Sequence, residues 1–346
     1  MKKKISIKDI AARLNISITA VSFILNGKSK EKGISDVLTE RVLKYVQETG
    51  YKPNHLAKSL RTGKTKIISL LVENIADPFF SSIAGYVEEV ANQRGYKIIY
   101  GSTKNKVSKT RELIDLFRDR HVDGFIITPS ENLEVDIINL LNEKVPLVLL
   151  DRYFKTVETD CVVIDNFEST YNAVKYLITQ NYKNIAFITL TSDQTQMHDR
   201  LAGYEQAIND NKLEPCIKKI DYAKVDQTAV ANITDLIKEN PKIDALFFAT
   251  SYLAFKGMDV INNMAKSIPD DFGMIAFDDH EIFKLFKPTI TAVAQPIAEL
   301  SKQLVNLLLE QIDNPGTERK HKHMIIPAVF MVRNSSPFKS ETPNKI

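Results

Sequence analysis

Tyr51-Lys52-Pro53-Asn54-His55-Leu56-Ala57-Lys58-Ser59-Leu60-Arg61 is the stretch that divides the chain. Pro53 stops a helix arriving from the N-terminal side, Asn54 can cap a new one, and Gly63 ends it. A helix of about two turns is not stable alone in water, because nucleation is costly, so a partner must hold it. Lys52, Lys58, Arg61, Lys64 and Lys66 are cationic, and Leu56 and Leu60 sit one turn apart on one face. A basic helix exposing a leucine suits a DNA minor groove, where an apolar side chain can wedge between base steps. A solvated linker could have the same composition. The flanking sequence decides between them.

Upstream, Ser6-Ile7-Lys8-Asp9 has the spacing of a capping box, and Ile7, Ile10, Ala11 and Leu14 recur at helical intervals. Asn15 falls where a left-handed residue is needed. Ser17 caps a second helix in which Val21, Ile24 and Leu25 face inward, giving two short helices joined by a tight turn. A third helix starts near Ser35 and runs through Val42, Leu43 and Val46 to a stop at Gly50. Three such helices close a small core and leave the second free to enter a major groove. Charge agrees: residues 1–64 hold 14 Lys+Arg against 5 Asp+Glu, the remainder 32 against 38. A basic head on a mildly acidic body describes a polyanion-binding module attached to something that does not bind polyanions.

Ile7-Lys8-Asp9-Ile10-Ala11, Ile16-Ser17, Val21-Ser22, Leu25-Asn26-Gly27 and Gly50-Tyr51-Lys52-Pro53-Asn54 resemble the lac repressor (LacI/GalR) family of bacterial transcription regulators. The resemblance covers nearly the whole chain. It implies that Ile18 and Thr19 read base edges, that Ser17, Ser22 and Asn26 hold phosphates, and that Leu60 wedges into the operator centre. The implied footprint also takes in Ser6, Tyr51, Asn54, Ala57 and Arg61. Phe23 stands where the family usually has arginine. It cannot make a bidentate guanine contact, and instead touches a thymine methyl or packs inside the head.

From Lys66 the pattern changes to apolar runs alternating with amphipathic stretches. Strands are expected at 67–72, 96–101, 123–128, 146–150, 161–164, 185–189, 244–248 and 273–277. Helices are expected near 79–94, 108–119, 133–143, 167–180, 200–211, 227–239 and 296–312. Apolar strands without alternation, separated by helices, indicate buried parallel sheets. So many units suit two α/β lobes, with a break near 160–166. Ligands in such lobes bind beyond the carboxyl ends of the strands. Asn74, Asp77, Phe79 and Phe80 follow the first strand, and later ends carry Thr128, Asp151-Arg152, Asp165-Asn166, Ser251-Tyr252 and Asp278-Asp279. Aromatic faces with carboxylates and an arginine suit a sugar, whose ring stacks while its hydroxyls need donors and acceptors.

The resemblance sharpens this reading. Arg200-Leu201-Ala202-Gly203-Tyr204 looks like the family's Arg-x-x-Gly segment, whose arginine grips the effector. Asp151, Asp278 and Gln295 match other effector positions, Ser251 replaces a common asparagine, and Tyr222 matches a ring-stacking position. The implied body resembles a periplasmic sugar-binding protein, with crossing strands near 161–164, 290–294 and 323–327.

The expected organisation is a helix-turn-helix head at 1–50, a hinge helix and linker at 51–64, and a two-lobed effector-binding and dimerisation domain at 65–333. Lobe 1 takes about 65–161 plus 294–322, lobe 2 about 162–291 plus 323–333, and a polar tail without leucine heptads follows at 334–346. No apolar run is long enough to span a membrane, and the start of the chain does not read as a secretory signal. Cys161 and Cys216, in surroundings that predict burial, suit a reducing compartment, which places the protein in the cytoplasm at the nucleoid. His321 and His323 have no third ligand nearby, and no cofactor is expected. The expected function is a homodimeric regulator that binds a palindromic operator through the major groove and a central minor-groove wedge. A small sugar-like effector controls it, and it represses carbohydrate-utilisation genes. A purine- or nucleoside-responsive regulator is the alternative. A solute-binding transport protein would need a signal sequence and would not carry this head. An α/β enzyme would need a reactive constellation that the cleft residues do not supply.

Overall fold

The computed structural model describes residues 5–51, 63–316 and 319–340. They fall into two units, Met1–Thr65 and Lys66–Ile346. The hinge helix expected at 51–61 lies, apart from Tyr51, outside the described residues.

In the head, α1 (Ile7–Leu14), α2 (Ile18–Leu25) and α3 (Asp36–Thr49) each begin at a serine. The Asp9 amide donates to Ser6 Oγ at 3.3 Å, and the Ser6 amide donates to the Asp9 carboxylate at 2.8 Å, so two orphaned N–H groups are satisfied reciprocally. Ser17 and Ser35 accept from the amides of Ala20 and Leu38 at 3.0 and 3.4 Å. Asn15 closes α1 at φ 52° and Gly50 closes α3 at φ 61°, both left-handed. Ile10, Ala11, Val21, Ile24 and Val42 form the core. Arg41 donates to the Leu14 carbonyl at 2.8 Å, tying α3 to the turn between the first two helices. Leu43 is 47% exposed; the inward stripe of α3 runs through Leu38, Val42, Tyr45 and Val46.

The body begins with β1 (Ile67–Val72), α4 (Pro78–Gln93), β2 (Lys97–Ser102), α5 (Val107–Asp119), β3 (Gly124–Ile127), α6 (Glu134–Asn142), β4 (Leu147–Leu150) and β5 (Cys161–Ile164). It continues with α7 (Asn166–Thr179), β6 (Ile185–Thr191), α8 (Thr195–Asp210), β7 (Cys216–Asp221), α9 (Val225–Glu239) and β8 (Ala245–Phe248). Then come α10 (Ser251–Asn263), β9 (Gly273–Phe277), α11 (Glu281–Leu285), β10 (Thr291–Ala294), α12 (Ile297–Asp313), β11 (His323–Ile326) and β12 (Val329–Met331). Two six-stranded sheets result, in the orders β11-β5-β4-β3-β1-β2 and β12-β10-β9-β8-β6-β7. All pairings are parallel except β12 against β10. Every residue of β3, β4, β8 and β9 is buried, as strands covered by helices on both faces require.

The chain crosses between the sheets after β5, after β10 and after β11. Both Cys161–Ile164 and His323–Ile326 pair inside the first sheet, so the lobe boundaries expected before 162 and before 323 fall instead just after each strand. The helix Ser251–Asn263 and the strands Cys216–Asp221 and Val329–Met331 were not anticipated. Lys218 and Lys219 break the apolar run of β7, which is an edge strand and tolerates them. Cys216 at its start is only partly buried, unlike Cys161. Residues 335–340 are not a loose tail. Ser335 Oγ accepts from the Thr291 amide at 2.8 Å and donates to the Met274 carbonyl at 2.6 Å. Lys339 reaches the Asp244 carboxylate at 2.8 Å.

Candidate functional site

On the head, Ser17, Ile18 and Thr19 form the exposed N-terminal turn of α2, with Ile18 45% exposed although apolar. Asn26 at the other end is exposed and donates to the Ser22 carbonyl at 2.6 Å. Phe23 is half-buried and outside the head's core, its ring 5.7 Å from Lys32 Nζ. Ser6 is the exposed cap of α1, while Tyr51 packs on the core. Asn54, Ala57, Leu60 and Arg61 lie outside the described residues.

In the body, Asp151 ends β4 at φ 71° and Asp278 ends β9 at φ 67°, left-handed conformations that non-glycine residues hold only where the surrounding fold fixes them. Between them stands Arg200, 2% exposed. Its Nε donates to Asn166 Oδ1 at 2.8 Å and a terminal nitrogen donates to the Ala249 carbonyl at 2.7 Å. The guanidinium lies 3.6 Å from the centre of the Phe277 ring and 3.9 Å from the Asp278 carboxylate. Burial lowers its pKa, and Asp278 and Asp151 oppose the shift. Gln295 donates to the other Asp278 oxygen at 2.6 Å. Gly203 explains why Arg200 can sit here. A Cβ on Gly203 would meet the Phe167 carbonyl oxygen at 2.4 Å, so only glycine lets α8 pack this closely on α7.

Asp77 caps α4, accepting from the Phe79 amide at 2.9 Å. Burial raises its pKa to about 6, with Asp278 across the cleft and Glu73 adding repulsion. Asp151 is likewise raised to about 6 by burial, against the pull of Arg152 and Arg200. Other expected residues divide. Phe79 is half-buried, but Phe80 is 6% exposed and belongs to the core, so it is not a ligand-facing ring. Asn74 accepts from the Ala76 amide and from Lys104 Nζ, shaping the loop after β1. Thr128 is fully buried, its hydroxyl without a partner among the described residues. Ser251 is buried at the start of α10, and Tyr222 is half-buried, its pKa raised by burial and by the Glu73 carboxylate.

Glu73 was not singled out, and Arg152 was noted only among the residues at the strand ends. Arg152, 2% exposed, donates to Glu73 Oε2 at 2.7 Å, and Asn105 donates to the same oxygen at 2.6 Å. Nε of Arg152 is 3.7 Å from the Asp151 carboxylate. The available signal was position alone: Glu73 directly follows β1 and Arg152 closely follows β4. His323 lies edge-on to Tyr153 at 4.4 Å, and His321 Nδ1 lies 3.9 Å from the Asp160 carboxylate.

Comparison with known proteins matches residues 6–54 to the model of bacterial regulatory proteins of the lacI family and residues 174–336 to a periplasmic binding protein-like domain. The chain thus joins a lacI-family helix-turn-helix domain to a periplasmic-binding-protein-like domain. It is 29% identical to the ribose operon repressor of Halalkalibacterium halodurans, over 96% of this chain and 97% of that one. It is 28% identical to the transcriptional repressor PurR of Aliivibrio fischeri, over 91% and 94%. The lac repressor dimer bound to operator and an anti-inducer has the same fold, with a TM-score of 0.84 at 19% identity, covering 97% of this chain and all of that one. With this pairing of domains the protein is a DNA-binding transcriptional regulator. Among the described residues no helix is long and apolar enough to cross a membrane.

Proposed function

We propose that this regulator is a cytoplasmic, homodimeric repressor of carbohydrate-utilisation genes whose operator affinity is set by a neutral, sugar-like effector. The observation that carries the effector reading is Arg200, stacked on Phe277 and flanked by Asp151 and by the Asp278–Gln295 pair at the ends of buried strands. Such a site offers donors, acceptors and a flat cationic face without an anchored nucleophile. Ligands of this cleft would be Asp77, Phe79, Asp151, Arg200, Tyr222, Ser251, Asp278 and Gln295.

On DNA, Ser17, Ile18 and Thr19 at the start of α2 would meet the major groove, with Ser22 and Asn26 fixing register on phosphates. Residues 51–64 would act as the hinge, folding when docked on the operator centre. Effector binding between the lobes then changes the spacing of two hinges. A coupling of about 1–3 kcal/mol changes operator affinity roughly 5–150-fold.

Fluorescence anisotropy on a selected operator duplex tests this reading. Affinity should fall about a thousandfold or more between 50 and 200 mM salt if the dimer makes six or more phosphate contacts. It should also move at least fivefold with one neutral sugar. The likeness to PurR supports a second reading: a shift with hypoxanthine or guanine and with no sugar would replace the carbohydrate assignment by a purine one.

A further inference from the structure

None of the residues of α2, Ile18–Leu25, is charged and none carries a side-chain amide. Val21 and Ile24 form its buried side. The opposite side presents Ile18, Thr19, Ser22 and Phe23. Two of these four are large and apolar. Ile18 is exposed, and Phe23 is half-buried yet stands outside the head's core. Asn26, just beyond the helix, donates its side-chain amide to the Ser22 carbonyl at 2.6 Å. Positive charge comes instead from the following loop, where Lys28, Lys30 and Lys32 are exposed. Hydrogen-bonded turns hold that loop: the amides of Lys28, Lys32 and Ile34 donate to the carbonyls of Phe23, Lys28 and Ser29 at 2.9, 3.0 and 2.9 Å. Lys32 Nζ lies 5.7 Å from the centre of the Phe23 ring and 3.1 Å from the Glu31 carboxylate.

We infer that this head reads thymine: Ile18 and Phe23 pack on the C5-methyl groups of separate base pairs in each half-site, while the lysines of the 28–32 loop hold flanking phosphates. This holds only with α2 as the helix in the major groove, the placement proposed above. Guanine shows that groove two acceptors, which a rigid pair of donors reads best, whereas thymine shows a methyl group that an apolar side chain recognises. α2 has no guanidinium, ammonium or amide for the first kind of contact. The hydroxyls of Thr19 and Ser22 bond to donors and acceptors alike and so discriminate little. A guanine or cytosine edge under Ile18 or Phe23 would lose its water without gaining a partner, which penalises G·C pairs there. Five residues apart, the two side chains are separated by about 7.5 Å along the helix axis and reach different base pairs. Base reading and phosphate holding thus fall on different segments of the head, which makes them separable by mutation.

Operator selection from random duplexes by the full chain, followed by anisotropy on the selected duplex, tests the thymine reading. Each half-site should carry T·A pairs at the positions under Ile18 and Phe23. Replacing one of those thymines by deoxyuridine removes only the methyl group and should weaken wild-type binding about fourfold, the effect of one buried carbon. Phe23→Ala should lose sensitivity to one replacement and Ile18→Ala to the other; both side chains lie outside the core, so the head keeps its fold. Phe23→Arg, which supplies two donors, should turn the preference at its position from thymine to guanine. Lys32→Gln should lower the salt slope by about one and leave the selected bases unchanged. Selection of G·C at both positions overturns the methyl reading. So does tight binding of the deoxyuridine duplexes by wild type while the alanine variants bind weakly, a result that leaves α2 in the groove. Alanine variants that bind every duplex as wild type does overturn the placement of α2 and the thymine reading with it.

Discussion

Arg200 holds together more than a ligand. Because it is buried among Asn166, the Ala249 carbonyl, Phe277 and Asp278, Arg200→Ala should abolish the effector response and also cost about 3–5 kcal/mol of stability, the usual penalty for breaking a buried pair. Chemical denaturation read beside operator binding separates the two effects. An unchanged effector response would show that the cleft lies elsewhere. Asp77 makes a complementary prediction. Its folded pKa of about 6 exceeds the ordinary 3.8, so the folded protein holds more protons than the unfolded chain between about pH 4 and 6. The contribution of this group to stability therefore rises as pH falls from above 6 toward 4. Asp151, also raised to about 6, acts in the same sense. Asp77→Asn should flatten part of that slope in melting temperatures taken from pH 4.5 to 7.5. An identical slope in the variant would show that burial, with Asp278 and Glu73 nearby, does not raise the Asp77 pKa.

At the scale of elements, the contact of α8 on α7 positions the site. Gly203→Ala should push these helices apart, cost about 1–3 kcal/mol as overpacking does, and weaken effector binding by displacing Arg200. Equal stability and affinity in the variant would refute that coupling. The same pair shows what was legible in the chain. The Arg-x-x-Gly spacing is visible in the sequence, but the reason for the glycine, the Phe167 carbonyl, is a tertiary fact. The head was readable down to its caps, because Ser6, Asn15, Ser17, Ser35 and Gly50 act through local geometry. Strands covered on both faces, such as Leu147–Leu150, announced themselves as unbroken apolar runs. The edge strand Cys216–Asp221 did not, since two of its six residues are lysines that an edge tolerates. Arg152 and Glu73 were harder still. They come from loops after different strands, and nothing local says that their charges meet.

For the whole molecule, the hinge sequence predicts a separation of duties. Leu60→Ala should weaken operator binding while leaving sugar affinity nearly unchanged, and equal operator binding by wild type and variant would remove the wedge from the mechanism. The three crossings have a consequence for synthesis. The head is a contiguous stretch with its own core, finished early as the chain emerges. Neither lobe is contiguous: the first sheet needs His323–Ile326, and the second needs Val329–Met331 and the docked Ser335 and Ser336. A premature stop or frameshift anywhere in the body thus leaves a finished reading head attached to an unfinished sensor.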